Sequence, residues 1–393
     1  MTAPSKVPDR GFPPSEFADR TSRAQARMAA RDMAGMLLTT EPEIRYFTGF
    51  HTAFWQSPTR PWFLFLPVEG EPVALIPEIG VPAMRRTWIE DIRSWPAPRP
   101  EDDGLSLLID LLAPLARSRR RLGVLKGPET HLRMPLDDYE RLLAALPGLR
   151  IVDATPIVRA LRMVKTPAEI EKIAHACAIG ANAFARLPEL AAPGLPLEDL
   201  FRAFRREALA RGADEVPFLA GSAGPGGYED VISPPSRRPL EQGDILMLDL
   251  GLRWDGYFCD FDRNFAIGRA EDAARRAYDL LWRATEAGIA ATRPGATCRE
   301  LYRAMRAVLA EADDGDGNIG RLGHGLGMQL TEWPSIMEGD DTVIEENMVL
   351  TLEPSLSSSG NRMMVQEENL VVGPRGARLL TTRAAPELPV IRG

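Results

Sequence analysis

The chain of 393 residues has only three cysteines and four histidines, and aromatic side chains make up 7% of it. Cys177, Cys259 and Cys298 lie far apart with no Cys-x-x-Cys pair. Neither a disulfide framework nor a thiolate zinc site is therefore expected, and a reducing cytoplasm is the natural setting. Four histidines cannot furnish a histidine-rich metal centre, so any metal site has to be built mostly from carboxylates. No apolar run approaches the roughly 18 residues needed to cross a bilayer. Residues 1–20 are polar, with no apolar segment of a secretory signal. Positive charge is also short: the formal net charge is −8, which argues against a nucleic-acid partner, because such surfaces need clustered basic residues.

The length suits two globular domains of roughly 100–200 residues each. Residues 1–25 read as a loose arm. Over 26–158, strand patterns at 37–39, 62–67, 72–76 and 122–125 mix with helical spacing at 105–115 and 136–146, which predicts an α/β domain. A second domain of α+β type then spans 159–393. It opens on a helix whose start is marked by Thr166 as N-cap, Pro167 at the first position and Glu169 three residues after the cap. Ile170, Ile173, Ala174 and Cys177 share one face of it, and His175 lies off that stripe as a packing or surface histidine.

This second domain contains an internal repeat. Pro193-Gly194 precedes Asp199-Leu200-Phe201-Arg202-Ala203-Phe204-Arg205, and Pro294-Gly295 precedes Glu300-Leu301-Tyr302-Arg303-Ala304-Met305-Arg306 at the same spacing. Each copy leads to an apolar strand carrying an acid, Asp249 in the first and Glu353 in the second. Each continues to another acidic segment, with Asp260 and Glu367. The pattern implies two related helix-plus-strand halves with a pseudo-twofold relation.

An ionised carboxylate inside a run such as Ile-Leu-Met-Leu-Asp-Leu-Gly costs several kcal/mol or more unless it is paired or bound to a metal. Four acids placed this way in a symmetric pattern point to one polar centre. His324, in Gly323-His324-Gly325-Leu326-Gly327, is the fifth candidate, because the flanking glycines let backbone approach the imidazole closely. Four carboxylates and one imidazole suit two divalent ions, with Mn, Fe or Co favoured over Zn. A metal-bridging water would then be the nucleophile.

These motifs resemble the pita-bread metallohydrolase superfamily of prolidase, aminopeptidase P, methionine aminopeptidase and creatinase. The likeness runs through the linker helix, the Asp-Leu-Gly strand and Asp255-Gly256-Tyr257-Phe258-Cys259-Asp260. It continues through Gly-His-Gly-Leu-Gly, Leu352-Glu353-Pro354 and Glu367-Glu368-Asn369. It covers about 230 residues, and the preceding domain is similar to the creatinase-type N-terminal domain. The resemblance implies that Asp249, Asp260, His324, Glu353 and Glu367 are metal ligands, that Glu353 also shuttles a proton, and that the protein works as a homodimer. The default activity it implies is a Xaa-Pro peptidase-like hydrolase of a small amide or dipeptide substrate.

The chain also departs from that pattern. Family peptidases carry a histidine where this sequence has Thr331, and another near Ile232. Aminopeptidase P-like members often place an arginine where Val365 stands. Thr331, Trp333 and Tyr228 are candidate replacements in substrate binding. Asp262 stands where Thr or Ser is common and, two residues from Asp260 on a strand, faces the same side as a supporting acid. The aromatic-rich segment 50–62 offers His51, Trp55 and Arg60 as further substrate contacts. The missing histidines leave an alternative within the superfamily, a metal-dependent dimethylsulfoniopropionate lyase or an ectoine-type amide hydrolase.

Overall fold

The structure, a computed structural model, describes residues 7–57, 60–312, 320–358 and 362–392. The chain divides into two compact units, one over Asp9–Arg162 and one over Met163–Gly393 together with the N-terminal residues up to Pro8.

The first unit is built on a six-stranded mixed sheet. Its strand order is Asp91–Trp95, Val73–Pro77, Phe63–Pro67, Gly35–Leu38, Arg121–Val124 and Arg150–Asp153. The apolar pattern produces the four inner strands, whose side chains are almost all buried. The sequence reading missed the two outer ones, because edge strands are half exposed and carry residues such as Arg93 and Arg150. Helix Leu105–Arg117 buries Leu105, Leu108, Leu112 and Ala116 against this sheet, the spacing of one helical face.

The expected loose arm needs correction. Pro14–Ala29 is a helix that starts with proline in its first turn and buries Phe17, Arg20, Thr21, Ala24 and Met28. Arg20, fully buried, sits in the apolar stripe and hid it. Its guanidinium donates to the Tyr46 carbonyl at 2.9 Å and to Glu16 at 3.1 Å, and it lies 4.3 Å from the Tyr46 ring centroid. Residues 1–6 of that arm, and Pro58 and Thr59 of the aromatic segment, lie outside the described residues.

The second unit shows the two-half organisation that the repeat implies. Its first sheet runs in the order Val390–Ile391, Phe261–Ile267, Asp244–Trp254 and Glu215–Pro225. Its second runs Glu332–Ser335, His324–Gly325, Val349–Leu352, Glu368–Gly373 and Gly376–Leu379. Helices Pro167–Phe184 and Leu197–Ala210 belong to the first half, Asp272–Ala291 and Cys298–Leu309 to the second. The helix at Pro167 carries the expected capping box, and a matching one joins Thr297 and Glu300.

The likeness of the halves extends to backbone angles. Gly194 and Gly295 both adopt the left-handed conformation, with φ of 86° and 88°. Gly194 donates to the Leu240 carbonyl and Gly295 to that of Ile344. Gly243 and Asn347, each at the turn before an acid-bearing strand, are left-handed too, at 92° and 69°. Asn is among the few non-glycine residues that tolerate this region. Ile245, Met247, Leu301, Met305, Leu350, Leu352 and Leu370 share one core between the two sheets and the helices.

Candidate metal centre

Sheet register assembles the acids. Asp249 lies directly opposite Asp262 across the antiparallel pair Asp244–Trp254 and Phe261–Ile267. Asp260 immediately precedes the second of these strands. In the other half, Leu352 pairs with Glu368, so Glu353 and Glu367 stand just beyond the end of that ladder. His324 enters from the strand beside Val349–Leu352, where Gly325 pairs with Leu350.

These elements converge on one point. One ligand atom each of Asp260, His324 and Glu367 lies within 4.8 Å of the others, and all three residues are buried. His324 Nε2 is 3.5 Å from Asp260 and 4.0 Å from Glu353. The side chains of Asp260 and His324 are nearly closed off, whereas 31% of the Glu353 side chain is exposed. Glu353 therefore marks the open side of the centre.

The flanking glycines have a steric cause. A Cβ on Gly323 would come 2.2 Å from the Thr351 carbonyl oxygen, and one on Gly325 would come 1.9 Å from that of Trp333. His324 Nδ1 lies 2.8 Å from the Gly325 carbonyl. A carbonyl can only accept, so Nδ1 carries the proton and Nε2 presents its lone pair to the acids. Burial, with the Arg321 charge behind it, lowers the imidazole to about 4, so at neutral pH it is an uncharged donor.

The acids are perturbed in the opposite sense. Burial, together with the Glu353 charge, pushes Asp249 up to about 8. Burial also lifts Asp260, Asp262 and Glu367 well above the ordinary carboxylate range, with neighbouring acids adding to it. Glu353 is raised by burial and eased by Arg321. Asp249 Oδ1, Asp262 Oδ2 and Glu367 Oε1 are buried oxygens without a hydrogen-bond partner among the described residues. Crowded, unpartnered carboxylate oxygens beside a neutral imidazole are what a divalent cation would satisfy. The residues present fit such an ion.

Supporting groups fix the ligands. Asn369 Oδ1 accepts the Asp260 N–H at 2.9 Å, and its amide donates to the Asp260 carbonyl. Asp262 Oδ1 accepts the Glu367 N–H at 2.9 Å. Arg263 donates to the Asp262 and Glu367 carbonyls and pairs with Glu368 at 3.0 Å.

The expected substrate contacts fare unevenly. Tyr228 is corrected: it is fully buried, and its hydroxyl donates to Asn264 at 3.1 Å and accepts the Val365 N–H at 2.6 Å. It braces the strand that leads to Glu367 rather than facing substrate. Trp333 is buried as well, whereas Thr331 is half-buried and accepts from Arg321 at 3.5 Å. His51, Trp55 and Arg60 lie in the first unit and engage its own residues: Arg45, the Phe50 and Trp62 rings, and the Phe54 ring. His175 packs edge-on against Trp254, as expected of a packing histidine. Arg321 and Asn369 were not singled out from the sequence. Asn369 could have been, as the polar end of Glu367-Glu368-Asn369; Arg321 carries no local signal.

Residues 171–373 match the family described as metallopeptidase family M24. The chain belongs to that family. Residues 20–164 match the creatinase/prolidase N-terminal domain. The chain is 30% identical to the "Probable dipeptidase PepE" of Mycobacterium bovis over 97% of its own length and 98% of that protein. The crystal structure of dipeptidase PepE from Mycobacterium ulcerans superposes with a TM-score of 0.83 at 29% identity, covering 97% of this chain and 99% of that one. Prolidase from Thermococcus sibiricus shares the fold, with a TM-score of 0.84 at 22% identity over 97% and 100% of the two chains. This M24 protein is thus a hydrolase-family enzyme with a creatinase-type N-terminal domain and a pita-bread C-terminal domain. No helix among its described residues is long and apolar enough to cross a membrane.

Proposed function

We propose that this M24 enzyme is a dinuclear-metal-dependent hydrolase of a small amide substrate, with Xaa-Pro peptidase-like activity on dipeptides. The observation that carries the reading is the convergence of Asp260, His324 and Glu367 from both halves of the second unit. Asp249 and Glu353 complete the ligand set, and Mn, Fe or Co suits these donors better than Zn. Two divalent ions held there would supply an acidified water and polarise the scissile carbonyl.

The chain's own residues do the rest. Glu353, raised by burial and open to solvent on one side, takes the proton from the attacking water and returns it to the leaving amine. His324 stays neutral and fixed by the Gly325 carbonyl. Asp262 stands behind Glu367 and holds its N–H. The three buried free thiols, Cys177, Cys259 and Cys298, suit a reducing cytoplasm. A homodimer is the proposed working form.

A second reading is favoured by the substrate-side departures. Ile232 is 79% exposed, and Val365 is buried with its N–H on Tyr228. Neither position supplies a polar group to substrate, which suits the lyase or ectoine-type alternative.

Elemental analysis of the purified protein, followed by a panel of Xaa-Pro dipeptides, ectoine-like amides and sulfonium zwitterions, separates the readings. Two ions per chain and chelator-sensitive dipeptide turnover are expected. Turnover confined to a zwitterion would move the enzyme to the second reading. A protein that binds no divalent metal, and in which Asp249→Ala is harmless, would sink both.

A further inference from the structure

The strand Phe261–Ile267 carries one carboxylate oxygen more than its packing uses. Asp262 is 1% exposed and stands directly opposite Asp249 in the antiparallel pair. Such neighbours project from the same face of a sheet, and like charges placed directly opposite destabilise it. On its other side Asp249 pairs with Ala220, which has no polar side chain. Asp249 Oδ1 and Asp262 Oδ2 have no hydrogen-bond partner among the described residues. The adjacent cation does not reach them. Arg263 donates to the carbonyls of Asp262, Glu367 and Thr382 and pairs with Glu368.

The next residue on that face shows what the strand itself requires. Asn264, two positions on, donates to the Val365 carbonyl at 2.6 Å and accepts from the Tyr228 hydroxyl at 3.1 Å. Asp262 Oδ1 accepts the Glu367 N–H at 2.9 Å. The face is thus laced, at two-residue intervals, to the segment that ends in Glu367. One acceptor oxygen at position 262 completes this lacing, and a neutral amide or hydroxyl would supply it without burying a charge. Oδ2 is surplus to it. It belongs to a carboxylate that holds the backbone of one proposed ligand and stands across from another, and each of those ligands also keeps a buried oxygen without a partner. Three such oxygens on linked residues are donors for one hard cation.

We propose that Asp262 is a sixth metal ligand, its Oδ2 joining Asp249 and Glu367 on one ion and giving a centre of five carboxylates and one imidazole. The proposal rests on the dinuclear-metal reading and goes beyond it in what it says of the ion. Zn is satisfied by four donors, whereas Mn accommodates an octahedral set of oxygens. An additional hard oxygen therefore moves the selectivity of the centre from Zn toward Mn.

The test titrates metal-free protein with Mn and with Zn by calorimetry, in wild type, Asp262→Asn and Asp262→Thr. Both substitutions keep an oxygen for the Glu367 N–H and remove the second carboxylate oxygen. They differ in shape, so the comparison stands on whichever variant folds, as checked by circular dichroism. Wild type is expected to bind two ions of either metal. Each variant should bind Mn about 100-fold more weakly, at or above the loss from disturbing a supporting residue, and Zn no more than about tenfold more weakly. Cobalt(II) loaded into the same proteins gives a second readout, because its visible bands report the ligands it holds, and these bands should differ between wild type and variants. Equal losses for Mn and Zn, unchanged affinities, or cobalt bands identical to those of wild type would overturn the assignment and leave Asp262 as a prop for Glu367, with the metal reading intact. A wild type that binds no divalent ion would overturn the assignment together with the reading on which it rests.

Discussion

The two units treat buried charge in opposite ways. In the first, every prominent buried ion has its counterpart. Glu43, 3% exposed, accepts from Arg162 at 2.5 Å and from the Thr40 hydroxyl, and Arg20 is held by Tyr46 and Glu16. In the second unit the contrast runs between adjacent residues. Glu368 is fully buried and bound by Arg263, Arg383 and the Ala384 N–H. Glu367, next to it, keeps a buried oxygen without a partner, as do Asp249 and Asp262. Uncompensated buried charge destabilises a fold by several kcal/mol. A chain that neutralises Glu43 and Glu368 so fully has left the other acids open to a cation from outside.

The largest effect that would break this contrast lies at the centre itself. His324→Ala removes the neutral nitrogen donor and should lower turnover by about 10³-fold, the equivalent of several kcal/mol of lost charge stabilisation. Metal content measured on the same sample should fall with it. Turnover that drops while bound metal stays at the wild-type level would detach His324 from the ions.

Stability measurements come next. Arg162→Met strands Glu43 and should cost about 3–5 kcal/mol in urea denaturation. Glu367→Gln, studied in chelator, should raise the stability of the metal-free protein by on the order of 1–3 kcal/mol, because it removes a carboxyl whose ionisation burial and the neighbouring acids oppose. If both substitutions destabilise to the same degree, the two units do not differ in the way described. Asn369→Ala sits below these in size. Losing the two bonds that fix Asp260 should weaken metal binding about 10–100-fold by calorimetry while leaving the ligand set in place.

The sequence revealed the acids and His324 more clearly than what surrounds them, and the reason is physical. Asp249 announces itself because a charge in an apolar strand is expensive, and His324 because glycines flank it where carbonyls approach. The repeat was legible because Pro193-Gly194 and Pro294-Gly295 must make the same left-handed turn. By contrast, the helix Pro14–Ala29 carries Arg20 in its buried stripe, and the strands Asp91–Trp95 and Arg150–Asp153 lie at sheet edges with no apolar alternation to show. Tyr228 read as a free polar group because only the fold brings Asn264 and Val365 to its hydroxyl. Arg321 is a loop arginine among many, given meaning only by Thr331 and Glu353.

The smallest effect concerns pH, and its sign tests the unpartnered acids of the second unit. Asp249, at about 8 in the folded state, binds its proton more tightly there than in the unfolded chain, where the ordinary value is 3.8. Folded metal-free protein therefore takes up protons on folding as pH falls, and its stability rises as pH is lowered through 8. His324 works the other way. It is lowered to about 4 from 6.5, so it favours unfolding only once pH drops below 6.5. Between pH 9 and 6.5 the acids act alone, and the metal-free protein should gain on the order of 1 kcal/mol in urea as the buffer is acidified. With metal bound, the same protons compete for the ligand oxygens, so the metal-loaded protein should lose stability over that window or hold level. A metal-free protein that instead weakens steadily from pH 9 to 6.5 would mean that the acids of the second unit already have partners, and the distinction between Glu367 and Glu368 would fall.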